Sequence, residues 1–346
     1  AWQDSVPVIF ISGQTRAEQT SYQLNVRQRG SQECNIIDVI SPWVKKAYFV
    51  DKPEKINNIL DSALEECISD RKGPVWIDLP VNLQWQKIKN NLKLKIKNKN
   101  VYDKNQDSLQ IVDCIEKIKR SKKPLFILGR PVRNKKYLNK FLKKLSENNI
   151  PVVHTWGSCN NFTDGLLNVG IIGVSGQMAA NIAIRASDKP IFLGCHFSTT
   201  QSGNSFKSIS KSQVATFINT DKRETSNLAN NIQSEIINTD VDYFMKVFID
   251  APLNDFDKQK LINWKSFLIE ISTLISPEKA CSTKKFKNFI NPHYFINNLY
   301  KNLNKEDCVV IDGGGTALYA GFQCIPNNSK FNIFCSTSIS AMGTGL

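Results

Sequence analysis

Short apolar runs alternate with stretches of helical periodicity along most of the chain. Val6–Ile11 is an apolar run closed by Ser12 and Gly13, and Gly73–Pro80 is a second closed by proline, so each predicts a buried strand. Between them, Pro53 suits the first turn of a helix whose Ile56, Ile59, Leu60, Ala63, Leu64 and Cys67 fall on one face. The stretch from Gln84 to Lys104, with Lys87, Lys89, Lys93, Lys95, Lys97 and Lys99, interrupts the pattern and reads as a solvated linker. Periodicity resumes where Ser108 can cap a helix carrying Ile111, Val112, Ile115 and Ile118 on one face, followed by a strand at Pro124–Leu128. Further strands are expected at Pro151–His154, Pro190–Leu193, Val214–Ile218 and Glu235–Ile237, completing a parallel sheet of roughly five or six strands. This alternation predicts an α/β protein with helices on both faces of its sheets.

Beyond residue 256 the pattern weakens. Asp257 to Phe289 is charged and irregular, although Leu261, Trp264, Phe267, Leu268 and Ile271 share a helical face, so an interdomain helix and linker is expected over 256–288. His293–Leu303 then predicts a helix, Cys308–Ile311 a strand running into glycines, Thr316–Phe322 a short helix and Phe331–Phe334 a strand. A chain of 346 residues is long enough for about two or three separate cores. The expected division is 1–86, a linker at 87–106, a central domain at 107–255, the interdomain segment, and 289–346.

Composition narrows the function classes. Hydrophobic residues make up 41% and charged residues 22%, close to a globular average, and no apolar run approaches the roughly 20 residues of a membrane span. A soluble protein is expected, and the opening from Ala1 shows neither a basic start nor a small-residue cleavage site. The nine cysteines are odd in number and form no CxxC pair, which argues against a disulfide framework or a zinc ribbon and points to a reducing cytoplasm. His154, His196 and His293 have no partner at metal-ligand spacing. The formal charge of +14 invites a nucleic-acid partner, but the lysines are spread along the chain among Asn and Ile and no nucleic-acid motif accompanies them, so none is expected.

Three separated phrases carry a family resemblance. VPVIFISGQ (Val6–Gln14), GSQE (Gly30–Glu33) and GPVWIDLPVNLQ (Gly73–Gln84) come first. Next are KKPLFILGRPV (Lys122–Val132) and the stretch from Asn168 to Phe197, and last VVIDGGGTALYAGFQ (Val309–Gln323) and SISAMGTGL (Ser338–Leu346). In this order they resemble the thiamine-diphosphate-dependent enzymes of the acetolactate-synthase type. The resemblance implies three doubly wound parallel-sheet domains in the thiamine-diphosphate-binding fold. The first, pyrimidine-binding, and the last, diphosphate-binding, would be incomplete, so that the chain is an internal piece of a longer protein. It also implies Mg²⁺ and a homodimer or homotetramer. Several members hold FAD in the central domain without using it for redox chemistry; Gly129 and Arg130 leave flavin an open question here.

The glycine turn offers a site on physical grounds. A strand ending in glycines before a helix aims free backbone N–H groups at one spot, where the helix dipole favours an anion, so Gly314, Gly315 and Thr316 are candidates to hold a diphosphate oxygen. The plainer alternative is a tight strand-to-helix turn. The resemblance adds the Ser340–Ala341–Met342 bend: the Ser340 carbonyl would accept from the cofactor's exocyclic amine, and the Met342 thioether would wedge between its two rings. The family usually has Gly at the place of Ser340. Gln32 with Glu33 matches the family's Gln-Glu pair, while Ser31 stands where acetolactate-forming members carry Phe. Arg27 and Arg29 are candidates for a carboxylate or phosphate through charge-assisted hydrogen bonds, or else ordinary surface cations. By the same resemblance the activating Glu would precede Ala1 and the Mg²⁺ motif would follow Leu346. No catalytic residue or metal ligand is therefore assigned, and the chain by itself is expected to be inactive.

The implied function is a carboligase or decarboxylase acting on a 2-keto acid, pyruvate by default. Two alternatives stand beside it: a non-catalytic nucleotide-binding α/β protein using the Gly313–Gly315 turn, and a silent paralogue. A dinucleotide fingerprint would want a further Gly near Leu318, which is absent.

Overall fold

The computed structural model describes residues 1–22, 24, 26–88, 104–133, 135–159, 165–196, 198–203, 214–229, 234–253, 257–277, 279, 289–329, 331–336 and 343. The chain forms two compact units, Ala1–Val101 and Tyr102–Leu346.

In the first unit the elements run β1 (Ile9–Gln14), α1 (Ile36–Ile40), β2 (Lys46–Phe49), α2 (Ile56–Ile68), β3 (Val75–Pro80) and the single turn α3 (Val81–Gln84). The strands form one parallel sheet in the order β1-β3-β2. Ala63 and Cys67 of α2, the small residues of its predicted face, are the ones fully buried, packing with Val50, Val75, Ile77 and Leu83. Strand β1 departs from expectation in two ways. It starts at Ile9 and continues through Ser12 and Gly13, because Ser12 Oγ donates to Asp78 Oδ1 at 2.7 Å and the ladder with β3 extends to Gln14. Nor is it buried, for it lies at the sheet edge with Ile11 63% exposed. Asp78 itself is wholly buried and also accepts from Gln14 Nε2 at 3.0 Å and Tyr22 OH at 2.9 Å, which satisfies a carboxylate that burial would otherwise penalise.

The second unit opens with α4 (Lys104–Arg120), one turn before Ser108, and continues through β4 (Pro124–Leu128), α5 (Leu138–Glu147), β5 (Val152–His154), β6 (Asn168–Ile171), α6 (Met178–Ala186), β7 (Lys189–Leu193), α7 (Thr199–Ser202), β8 (Ala215–Ile218), α8 (Lys222–Ala229), β9 (Ser234–Ile237), α9 (Val241–Asp250) and α10 (Lys258–Leu274). A six-stranded parallel sheet has the order β6-β5-β4-β7-β8-β9. Its strands are apolar on both faces, as β4 shows. Phe126 and Leu128 join Ile111, Ile115 and Ile118 of α4, Phe141 of α5 and Phe244 and Phe248 of α9. Leu125 and Ile127 join Ala179, Ala180 and Ala183 of α6 and Trp264 and Leu268 of α10. Of the predicted α4 face, Val112 is left 48% exposed, since Ile111, Ile115 and Ile118 already fill the contact stripe. Helix α10 lies on the sheet itself, Trp264 Nε1 donating to the Pro124 carbonyl at 3.0 Å, while Phe267 remains 40% exposed.

The chain ends with α11 (Pro292–Lys301), β10 (Cys308–Val310), α12 (Gly315–Gln323) and β11 (Asn332–Phe334), the two strands pairing in parallel. Asn291 caps α11 by accepting from the His293 N–H at 2.9 Å, with Pro292 in its first turn. All described strand pairs are parallel and helices connect them, so the protein is α/β as the hydrophobic pattern predicts.

Candidate functional site

Strand β10 delivers the chain into an exposed glycine turn. Ile311 is buried against α12, whose Gly321 leaves the room: a Cβ there would lie 3.2 Å from Ile311 Cδ1. Gly314 is extended, φ −172°, and caps α12 without any side-chain hydrogen bond, whereas Gly315 takes φ +34°, the left-handed region that favours glycine. Among the described residues a Cβ on Gly314 or Gly315 would meet nothing within 4 Å, and Thr316 is exposed, so the described residues leave space beside the first N–H groups of the helix. Those groups have no carbonyl one turn back to donate to, which makes the turn suited to an anion.

Asp312 joins this turn to the end of the chain. Its Oδ1 accepts from the Gly313 N–H at 2.7 Å and its Oδ2 from the Gly343 N–H at 2.8 Å. Gly343, at φ +87°, directly follows Met342. Ser340, Ala341 and Met342 lie outside the described residues. The clasp was not legible in the sequence; an Asp opening a glycine run after a strand was the signal for a side-chain-to-backbone turn there.

The lobe bearing the turn is seated on the central sheet by polar and stacking contacts. Asn168 Nδ2 donates to the Asn327 carbonyl and Gln177 Nε2 to the Ile325 carbonyl, each at 2.8 Å, while Gln177 Oε1 accepts from the Ile171 N–H at 2.9 Å. Trp156 stacks on Phe322 of α12 with ring centroids 4.9 Å apart. Tyr300 of α11 donates to the Gly321 carbonyl at 3.0 Å, so α12 is gripped from two sides.

Gln32, Arg27 and Arg29 belong to a loop of the first unit, and all three are exposed. Gln32 is held at φ +63°, a left-handed conformation rare for a non-glycine residue. In the second unit the sheet order reverses between β4 and β7, the place where dinucleotides bind in doubly wound folds. There the two turns touch: a Cβ on Gly129 would sit 2.1 Å from the Gly194 carbonyl oxygen. The turn reads Gly129-Arg130-Pro131, with no glycine-rich phosphate loop and with proline removing an N–H. A groove on the side of β6 and α6, lined by Gly173, Val174, Met178, Asn181, Arg185 and Gln201, has a volume of about 230 Å³.

Residues 111–244 match the family described as thiamine pyrophosphate enzyme, central domain. The acetolactate synthase large subunit of Buchnera aphidicola subsp. Schizaphis graminum is 26% identical over 359 aligned residues, covering 100% of this chain and 59% of that protein. That of Lactococcus lactis subsp. lactis is 26% identical over 351 residues, covering 100% and 58%. The probable acetolactate synthase large subunit of Methanocaldococcus jannaschii is 27% identical over 315 residues, covering 89% and 50%. The chain is similar along its length to acetolactate synthase large subunits, and its central part matches the thiamine pyrophosphate enzyme central domain. This similarity favours the thiamine reading over that of an unrelated nucleotide-binding protein. The chain spans 50–59% of the length of these relatives. Among the described residues, no helix is long and apolar enough to cross a membrane, and no group of three or more His, Cys, Asp or Glu side chains is placed to hold a metal ion.

Proposed function

We propose that the chain forms part of a thiamine-diphosphate-dependent enzyme that decarboxylates a 2-keto acid, with pyruvate as the default donor, and passes the acyl unit to an acceptor. The observation that supports this most is the Asp312 clasp, which draws the residue after Met342 onto an open glycine turn at the start of α12. In this reading the N–H groups of Gly314, Gly315 and Thr316 hold the diphosphate, and the Ser340 carbonyl and Met342 side chain orient the rings. The open space beside Gly314 and Gly315 is what such a ligand requires. When bound, the cofactor supplies a nucleophilic carbon and an electron sink for loss of carbon dioxide.

The remaining steps are positioning. Asp312 accepts from two backbone N–H groups and so shapes the turn, and in this reading the phosphate falls to the helix N-terminus. Gln32 and Arg27 meet the substrate, the guanidinium pairing with a carboxylate and the amide fixing its orientation. In the same reading bound Mg²⁺ would neutralise the diphosphate charge, and the 346-residue chain by itself is expected to be inactive and to bind the cofactor negligibly. The working enzyme is a cytoplasmic homodimer or homotetramer and none of its proposed steps requires flavin. The test is the full-length gene product incubated with pyruvate, thiamine diphosphate and Mg²⁺. Release of carbon dioxide is expected; its absence would remove pyruvate as donor.

A further inference from the structure

The loop that carries Arg27 and Gln32 has no apolar anchor among Val26–Glu33 apart from the exposed Val26, so something polar must hold its shape. That group is Glu33. One carboxylate oxygen accepts from the Ser21 N–H; the other accepts from the Arg29 N–H at 2.7 Å and the Gly30 N–H at 3.2 Å. The Gln28 side-chain amide adds a donation to the Glu33 carbonyl at 3.5 Å. Three backbone donors from both ends of the loop thus converge on one side chain. The closure is tight, because a Cβ on Gly30 would lie 2.8 Å from the Gln19 carbonyl oxygen. Gln32 sits inside it at φ +63°, a backbone state that persists only where the surroundings over-determine it. The only acid within this closure that receives several backbone N–H bonds is the residue next to Gln32.

We propose that Glu33 is a positioning residue, whose carboxylate closes the loop between Ser21 and Gly30 and so fixes the left-handed backbone from which Gln32 presents its amide, on the same loop as Arg27. This rests on the assignment of Gln32 to the substrate made above. The hydrogen bonds, led by that with Ser21, hold the Glu33 carboxyl down at about 2, so the clasp is ionised throughout the working pH range. A carboxylate is the group suited to the task, since one oxygen pair accepts three N–H bonds without donating any.

Two measurements decide it. On the 346-residue chain, trypsin cleavage after Arg27 and Arg29 should quicken about tenfold or more in E33A, because cleavage follows the population of the opened loop. Hydrogen exchange over residues 20–33 should rise in parallel, the midpoint of thermal unfolding should stay where it was, and E33Q should lie between E33A and the parent. In the full-length enzyme E33Q should raise KM for the 2-keto acid and leave kcat nearly unchanged, and the E33Q/Q32A double variant should be no worse than Q32A, as expected if Glu33 acts through Gln32. Unchanged cleavage and exchange in E33A would overturn the proposal, and so would additive effects of E33Q and Q32A. Should Q32A leave KM untouched, the substrate role of Gln32 falls, while the cleavage and exchange results still decide whether Glu33 closes the loop.

Discussion

The glycines of the 313–315 run are not equivalent. Gly315 takes φ +34°, whereas Gly314 is extended, a state open to any residue, and both face open space. G315A should therefore cost about 1 kcal/mol of stability through backbone strain and G314A close to nothing, measurable by urea unfolding of the two variants. The run itself was legible as a strand-to-helix turn; which glycine it needs was not, because that depends on where α12 begins. Asp78 escaped a sequence reading for a similar reason, its partners Ser12, Gln14 and Tyr22 being brought to it by the β1–β3 register. His154 makes a pH prediction. Complete burial pushes its imidazole down from 6.5 to about 4, against a hydrogen bond to the Ser158 carbonyl and one with Asn168. The neutral form is the native one, so its contribution is fully present above pH 6.5 and lost as pH falls toward 4, on the order of 3 kcal/mol in all. The difference between the unfolding free energies of the parent and H154Q should narrow over that window; a gap independent of pH would remove His154 as the cause.

At the scale of elements, long apolar runs announced themselves and short mixed ones did not. Strands β4, β7 and β8 emerged within a residue of expectation because both faces of the central sheet are covered and the strands are apolar throughout. Strand β2 reads Lys-Ala-Tyr-Phe with its first residue exposed, and β6 contains Gly170 at φ +118° beside a register shift, so neither presents a run. Helix α10 illustrates what periodicity leaves open. Its face was visible, but not the surface that it covers, which is the sheet beside β4. Trp264 is 2% exposed there and bonded to the Pro124 carbonyl, so W264A should destabilise by about 3–5 kcal/mol and W264F by less, chiefly the lost hydrogen bond. Equal stability of W264A and the parent in chemical denaturation would mean that α10 does not hold the sheet.

For the molecule as a whole, the three parallel sheets and their order along the chain follow from composition and patterning. The net charge of +14 carries no comparable message, since the lysines are dispersed rather than gathered at the glycine turn. The central claim is that the backbone from Asp312 to Thr316, clasped to Gly343, receives a diphosphate. Calorimetry of thiamine diphosphate with Mg²⁺ into the full-length protein and its D312A variant tests it most directly. Binding that depends on Mg²⁺ in the parent and is weakened about tenfold or more in D312A, a loss of about 1.4 kcal/mol, is the predicted result. Equal affinity in the two proteins, or no Mg²⁺-dependent binding in either, would contradict it.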